Sequence, residues 1–119
     1  MALCYFFTQK SSNLLRLTLI LNNLVHSISN IIQGNTMLHP FHKENNEIKK
    51  FDYIVSNPPF KMDFSDFRDD LDTKENSERF FAGIPNIPKL KLESMSIYSM
   101  FLQHIIYSNY LHSYPQLKV

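Results

Sequence analysis

Residues 51–60 read Phe51-Asp52-Tyr53-Ile54-Val55-Ser56-Asn57-Pro58-Pro59-Phe60, a short apolar run ending in an Asn-Pro-Pro-aromatic tetrapeptide. Apolar residues occupy both faces of Phe51 to Val55, broken only by Asp52, which predicts a strand covered by helices on either side. Each proline drives the residue before it into an extended conformation and lacks its own N–H. Asn57 and Pro58 are therefore stiff, and the Pro58 carbonyl is available as an acceptor. With the Asn57 side-chain oxygen beside it and the Phe60 ring next in line, the tetrapeptide suits a planar amine. Two acceptors meet its two N–H bonds, and an aromatic face meets the ring that bears it. A plain turn is the alternative, since Asn-Pro and Pro-Pro also punctuate chains where strands end.

On Asn57 to Phe60 the chain resembles adenine-N6 DNA methyltransferases, in particular the modification subunit of type I restriction-modification systems. The run Arg79-Phe80-Phe81-Ala82-Gly83-Ile84-Pro85 and the apolar segment around Phe101-Leu102-Gln103-His104 support the resemblance, which spans most of residues 9–107. It implies an α/β fold: a partial Rossmann-like, S-adenosylmethionine-dependent methyltransferase domain with a mostly parallel sheet and flanking helices, incomplete here. The activity implied is methyl transfer to a flipped adenine in DNA, with Asn57, Pro58, Pro59 and Phe60 as catalytic residues. Partners implied are DNA and the specificity and restriction subunits, in the cytoplasm. Methyltransferases acting on protein glutamine or ribosomal RNA bases carry similar tetrapeptides, and the phenylalanine at position 60 leans towards a nucleobase.

The resemblance also points to the methyl donor. A Gln-Glu pair at the first strand end supplies the acid that holds the ribose of S-adenosylmethionine in this family; here the pair is Gln9-Lys10. Gln9 matches, whereas Lys10 offers only donors. The turn Gly34-Asn35-Thr36 corresponds to one that contacts the cofactor's adenine, which makes Asn35 the second candidate; a plain Gly-Asn connector is the other reading. Only Gly34 and Gly83 are present. No segment can form the glycine-rich turn by which such domains approach their cofactor closely. An inactive remnant, or an interaction module, is therefore the competing expectation.

At 119 residues, with 44% hydrophobic content and a net charge of +1, the chain predicts one small globular core and carries no strong basic footprint for nucleic acid. Cys4 alone permits no internal disulfide and is compatible with a reducing compartment. The N-terminal run lacks the marks of a signal peptide, and no stretch reaches the roughly 20 apolar residues of a membrane span. His39 and His42 have no convincing third ligand nearby, so no metal is expected.

The rest of the chain reads as follows. Leu3 to Phe7 is a buried strand, and residues 12–27 form an amphipathic helix with Ser11 or Ser12 as N-cap and Leu14, Leu15, Leu17, Leu21, Leu24 and Val25 on its apolar face. Ile31-Ile32 start a second strand, and residues 40–50 are a solvated connection. The charged stretch beyond Phe60 is a long loop, about 61–91, with lid and solvated loop both open and with Arg79 as a phosphate contact. A helix follows over roughly 92–107, with Ile97, Tyr98, Phe101, Leu102, Ile105 and Ile106 as its core stripe and His104 as a structural histidine. Residues 1–108 thus form the catalytic-domain fragment, and 109–119 an atypical tail that suggests truncation.

Overall fold

The structure, a computed structural model, describes residues 3–5 and 9–109, which fall into two compact units divided between Ile48 and Lys49. The expectations for Phe6, Phe7 and residues 110–119 lie outside the described residues.

The first unit is built on a strand-helix-strand crossover. Strand β1 (Leu3–Tyr5) pairs in parallel with β2 (Ile31–Gln33), with Leu3 opposite Ile31, and α1 (Gln9–Leu21) lies between them in sequence and packs on β2. Helix α1 starts three residues earlier than the serine cap predicts. Ser12 sits inside its first turn, where Oγ bonds back to the Gln9 carbonyl at 3.2 Å instead of capping an N–H. The helix also stops at Leu21 and not at residue 27. Asn23 adopts a left-handed φ of 58°, Leu24 N–H donates to the Leu19 carbonyl at 2.8 Å, and Asn23 N–H donates to Ile20 at 3.1 Å. This pair of bonds is a Schellman stop, which asparagine can form in place of glycine. A 3-10 turn over Val25–Asn30 then leads into β2.

Leu19, Ile31 and Met37 are buried in this unit, whereas Leu14, Leu17 and Leu21 of the predicted apolar face are exposed. The connection at 40–50 contains a hairpin, β3 (Lys43–Glu44) against β4 (Glu47–Ile48). Asn45 and Asn46 both have positive φ, as a two-residue hairpin turn of the mirror-image type requires.

The second unit is organised by α3 (Ile97–Ser108), the longest helix after α1. It begins five residues later than predicted. Lys91 is left-handed, Leu92–Ser94 form a separate 3-10 turn, and Met95 is extended. Its buried face carries Ile97, Met100, Phe101 and Gln103, so the stripe is rotated from the predicted one and leaves Leu102 and Ile106 outside. Phe64, Leu71 and Phe80, all from the segment read as a loop, are buried in the same unit. That segment holds a single helical turn, α2 (Arg68–Leu71), and a 3-10 turn over Lys74–Asn76.

The predicted strand over Phe51 to Val55 does not form. Only Phe51 makes a strand-like bridge, in parallel with Asn109, and Tyr53 and Val55 are 93% and 99% exposed. A strand needs a neighbour to satisfy its alternating N–H and C=O groups, and no further ladder reaches this segment among the described residues. The two sheets have two strands each. One parallel pair joined by a helix agrees with an α/β chain, but it is too small to define a Rossmann-like sheet.

Candidate active site

The segment carrying Asn57 is fastened at both ends to α3. At its start, Phe51 N–H donates to the Ser108 carbonyl at 2.9 Å, Asn109 Nδ2 donates to the Asp52 carbonyl at 3.4 Å, and the Lys50 ammonium donates to the Tyr107 carbonyl while lying 3.6 Å from that residue's ring centre. At its finish, Tyr98 N–H donates to the Phe60 carbonyl at 3.3 Å and Met62 N–H to the Met95 carbonyl at 3.1 Å. The ten helical steps between Tyr98 and Ser108 cover about 15 Å, whereas nine extended residues can span about 30 Å. The surplus chain bows outward, which accounts for the exposure of Tyr53 and Val55.

Asn57 lies in the bowed part. It is exposed, its side-chain amide makes no hydrogen bond to a described residue, and neither does the Pro58 carbonyl to a described backbone N–H. Every described peptide bond, those before Pro58 and Pro59 included, is trans. Phe60 is 70% exposed and stacks on Tyr98, with ring centres 5.3 Å apart and planes 17° from parallel. The first turn of α3 thus supports Phe60 from one side and, through the Tyr98 N–H, fixes its backbone. One face of the Phe60 ring is covered by Tyr98, and the ring stays largely exposed, directly after the residues that carry the two acceptors in the chain.

Arg79, expected to meet a phosphate, is instead 2% exposed. Its Nε–H donates to His104 Nδ1 at 3.0 Å, and its guanidinium lies 4.6 Å from the Phe80 ring centre. Burial, then the positive charges of Arg79 and Lys50, push the His104 imidazole down to about 3. His104 is therefore neutral, and Nδ1 accepts while Nε2 carries the proton. Next to it, the buried Gln103 side chain accepts from Ala82 N–H at 2.8 Å and donates to the Gly83 carbonyl at 2.9 Å. Arg68 adds bonds to the Pro85 and Ile84 carbonyls and pairs with Asp72 at 2.7 Å. Residues 79–85 and the Gln103-His104 pair, far apart in sequence, are thus one clamped substructure. Periodicity put Tyr98 on the core stripe, whereas it is half exposed and stacked on Phe60, and it gave Gln103 no role, because a polar residue on a buried face looks incidental in a hydropathy pattern. The polar break in an otherwise apolar helix was the available signal for Gln103.

Gln9 and Asn35 belong to the first unit, where each is engaged locally. Gln9 opens α1 and its Nε2 donates to Asn13 Oδ1 at 2.8 Å. Asn35 Oδ1 accepts from the N–H groups of Met37 and Leu38 at 3.0 and 3.3 Å, turning the chain after β2. Lys10 is exposed beside Gln9. Lys10 does not fit the ribose of S-adenosylmethionine, since a cation stands where the acid is expected, while Gln9 Nε2 and Asn35 Oδ1 are taken by local bonds. Among the described residues, no group of three or more His, Cys, Asp or Glu side chains could hold a metal ion, and no helix is long and apolar enough to cross a membrane.

The family model for N-6 DNA methylases matches residues 6–112. The chain belongs to the N-6 DNA methylase family, and with it to the methyltransferases that act on DNA. Comparison with curated proteins and with solved structures gives no match.

Proposed function

We propose that these 119 residues supply the amine-gripping part of an adenine-N6 DNA methyltransferase, of the kind that serves as modification subunit in a type I restriction-modification system. The observation that carries this reading is the pair of acceptors at Asn57 and Pro58, unbonded among the described residues and followed in the chain by the largely exposed Phe60, in a chain of the N-6 DNA methylase family. The amine of adenine is a poor nucleophile because its lone pair is delocalised into the ring. An acceptor on each N–H bond favours the pyramidal amine, in which the lone pair is available to a methyl group. This is stabilisation by positioned dipoles and needs no strong base. A base buried in a duplex must be flipped out to reach such a site, and stacking on Phe60 helps to hold it.

S-adenosylmethionine is the methyl donor this reading implies. Since Lys10 stands where the ribose-binding acid is expected and no glycine-rich turn is present, the chain alone is proposed to be inactive, contributing adenine recognition to a longer cytoplasmic enzyme whose partners are DNA and the specificity and restriction subunits. Calorimetry with S-adenosylmethionine tests the second claim: no binding by the isolated chain is expected, and tight binding overturns it. The first is tested by Asn57→Ala in a full-length parent, where methyl transfer is lost and cofactor binding is spared. Retained transfer sinks the role of Asn57. Labelled methyl groups appearing on a glutamine peptide or on RNA, and not on DNA, would replace the DNA reading.

A further inference from the structure

We infer that Tyr98 is a positioning residue for the nucleobase, holding the Phe60 ring so that a bound adenine extends a column of three stacked rings: base, Phe60, Tyr98. The inference rests on the adenine reading above. Three observations place Tyr98 in this role. Its ring stacks on Phe60 at 5.3 Å and 17°, its own N–H donates to the Phe60 carbonyl at 3.3 Å, and three residues before it the Met95 carbonyl accepts from Met62 N–H at 3.1 Å. Backbone and side chain of one residue thus fix both the position and the plane of the next aromatic.

The alternative without Tyr98 is a half-free phenylalanine on a bowed loop. Phe60 has two side-chain torsions, and at 70% exposure few other contacts restrain it. A base stacking on a mobile ring must order that ring as it binds. A ring already held in place has met that cost in advance, and the gain appears as affinity. The separation of 5.3 Å leaves no room for a base between the two rings, so the incoming base takes the outer face of Phe60, within the same tetrapeptide as the two acceptors.

The test uses the full 119-residue chain and adenosine, followed by proton NMR. In the unsubstituted chain the Phe60 ring protons carry ring-current shifts from Tyr98, and adenosine perturbs Phe60 and Asn57. Tyr98→Phe is expected to keep both the shifts and the affinity. Tyr98→Leu, which retains apolar volume, is expected to lose the shifts and to weaken adenosine binding on the order of tenfold, the scale of one aromatic stack. Persistence of the buried Met100 methyl signal in both variants reports that α3 is intact, and Tyr98→His serves as a second planar replacement expected to restore binding. Binding by Tyr98→Leu as tight as in the unsubstituted chain overturns the inference alone. Absence of adenosine binding by the unsubstituted chain overturns the adenine reading, and the inference with it.

Discussion

Two segments lean on the same helix in opposite ways. Residues 79–85 are clamped to the middle of α3 by buried side chains, with Gln103 bonding two backbone groups and Arg79 buried against His104 and Phe80. Among the described residues, residues 51–60 are tied only at the two ends of α3, and most of their central residues are exposed, Asn57 included. The clamped segment uses its polar groups for stability and has few left for chemistry. The bowed segment leaves its acceptors unused, so its contribution to stability is small and its capacity to bind is retained.

If that division holds, changes in the two segments should affect different measurements. The largest effect is expected at Asn57. Asn57→Ala should abolish adenosine binding within detection while shifting unfolding free energy by less than about 0.5 kcal/mol, because an exposed side chain with no partner among the described residues is lost; NMR titration and urea unfolding on one sample separate the two. Acid should act on the clamped segment alone. The unfolded His104 takes up a proton near its ordinary 6.5, and the folded one only at about 3. The unfolded state therefore binds more protons in that window, and stability present above pH 6.5 drains away as pH falls. By pH 4 the loss is about 3 kcal/mol. His104→Asn, whose side-chain oxygen can still accept from Arg79, should flatten this slope relative to the unsubstituted chain in urea titrations at pH 7 and pH 4.

A smaller effect is expected from Gln103→Leu, which removes the bridge to Ala82 and Gly83: a loss of about 2 kcal/mol, moderated by water reaching those exposed backbone groups. Unchanged unfolding in that variant would show that the clamp is not what orders residues 79–85. The smallest is Gly83→Ala. No atom lies within 4 Å of the added methyl, but φ is +89°, so only backbone strain of about 1 kcal/mol is expected, measurable as a shift in the urea midpoint.

The candidate site was legible as a proposal because its chemistry is local. Asn57-Pro58-Pro59-Phe60 declares its stiffness and its acceptors in four residues, and the family match over residues 6–112 agrees with the resemblance read from them. The second strand at Ile31 and the helix containing Phe101 were legible from their apolar patterns. What could not be read depended on partners distant in sequence. The expected strand at Phe51 to Val55 has the right residues but lacks a ladder beyond the bridge at Phe51. Arg79 resembled a phosphate ligand because nothing in its neighbourhood announces His104, 25 residues away. The early end of α1 and the hairpin at Asn45-Asn46 turned on asparagines in left-handed conformations, where glycine is the customary signal.

The bowed span between Phe51 and Phe60 has a further consequence. A loop fixed at both ends, with about twice the contour it needs, tolerates changes in length at little thermodynamic cost, since closure entropy varies only with the logarithm of the number of residues. Removing one residue between Asp52 and Ser56 would leave both anchors in place while changing where Asn57 sits between them. Folding would hardly register the deletion. The register of this loop is thus constrained by recognition and almost unconstrained by stability, which makes its length, as much as its composition, a determinant of what the site can hold.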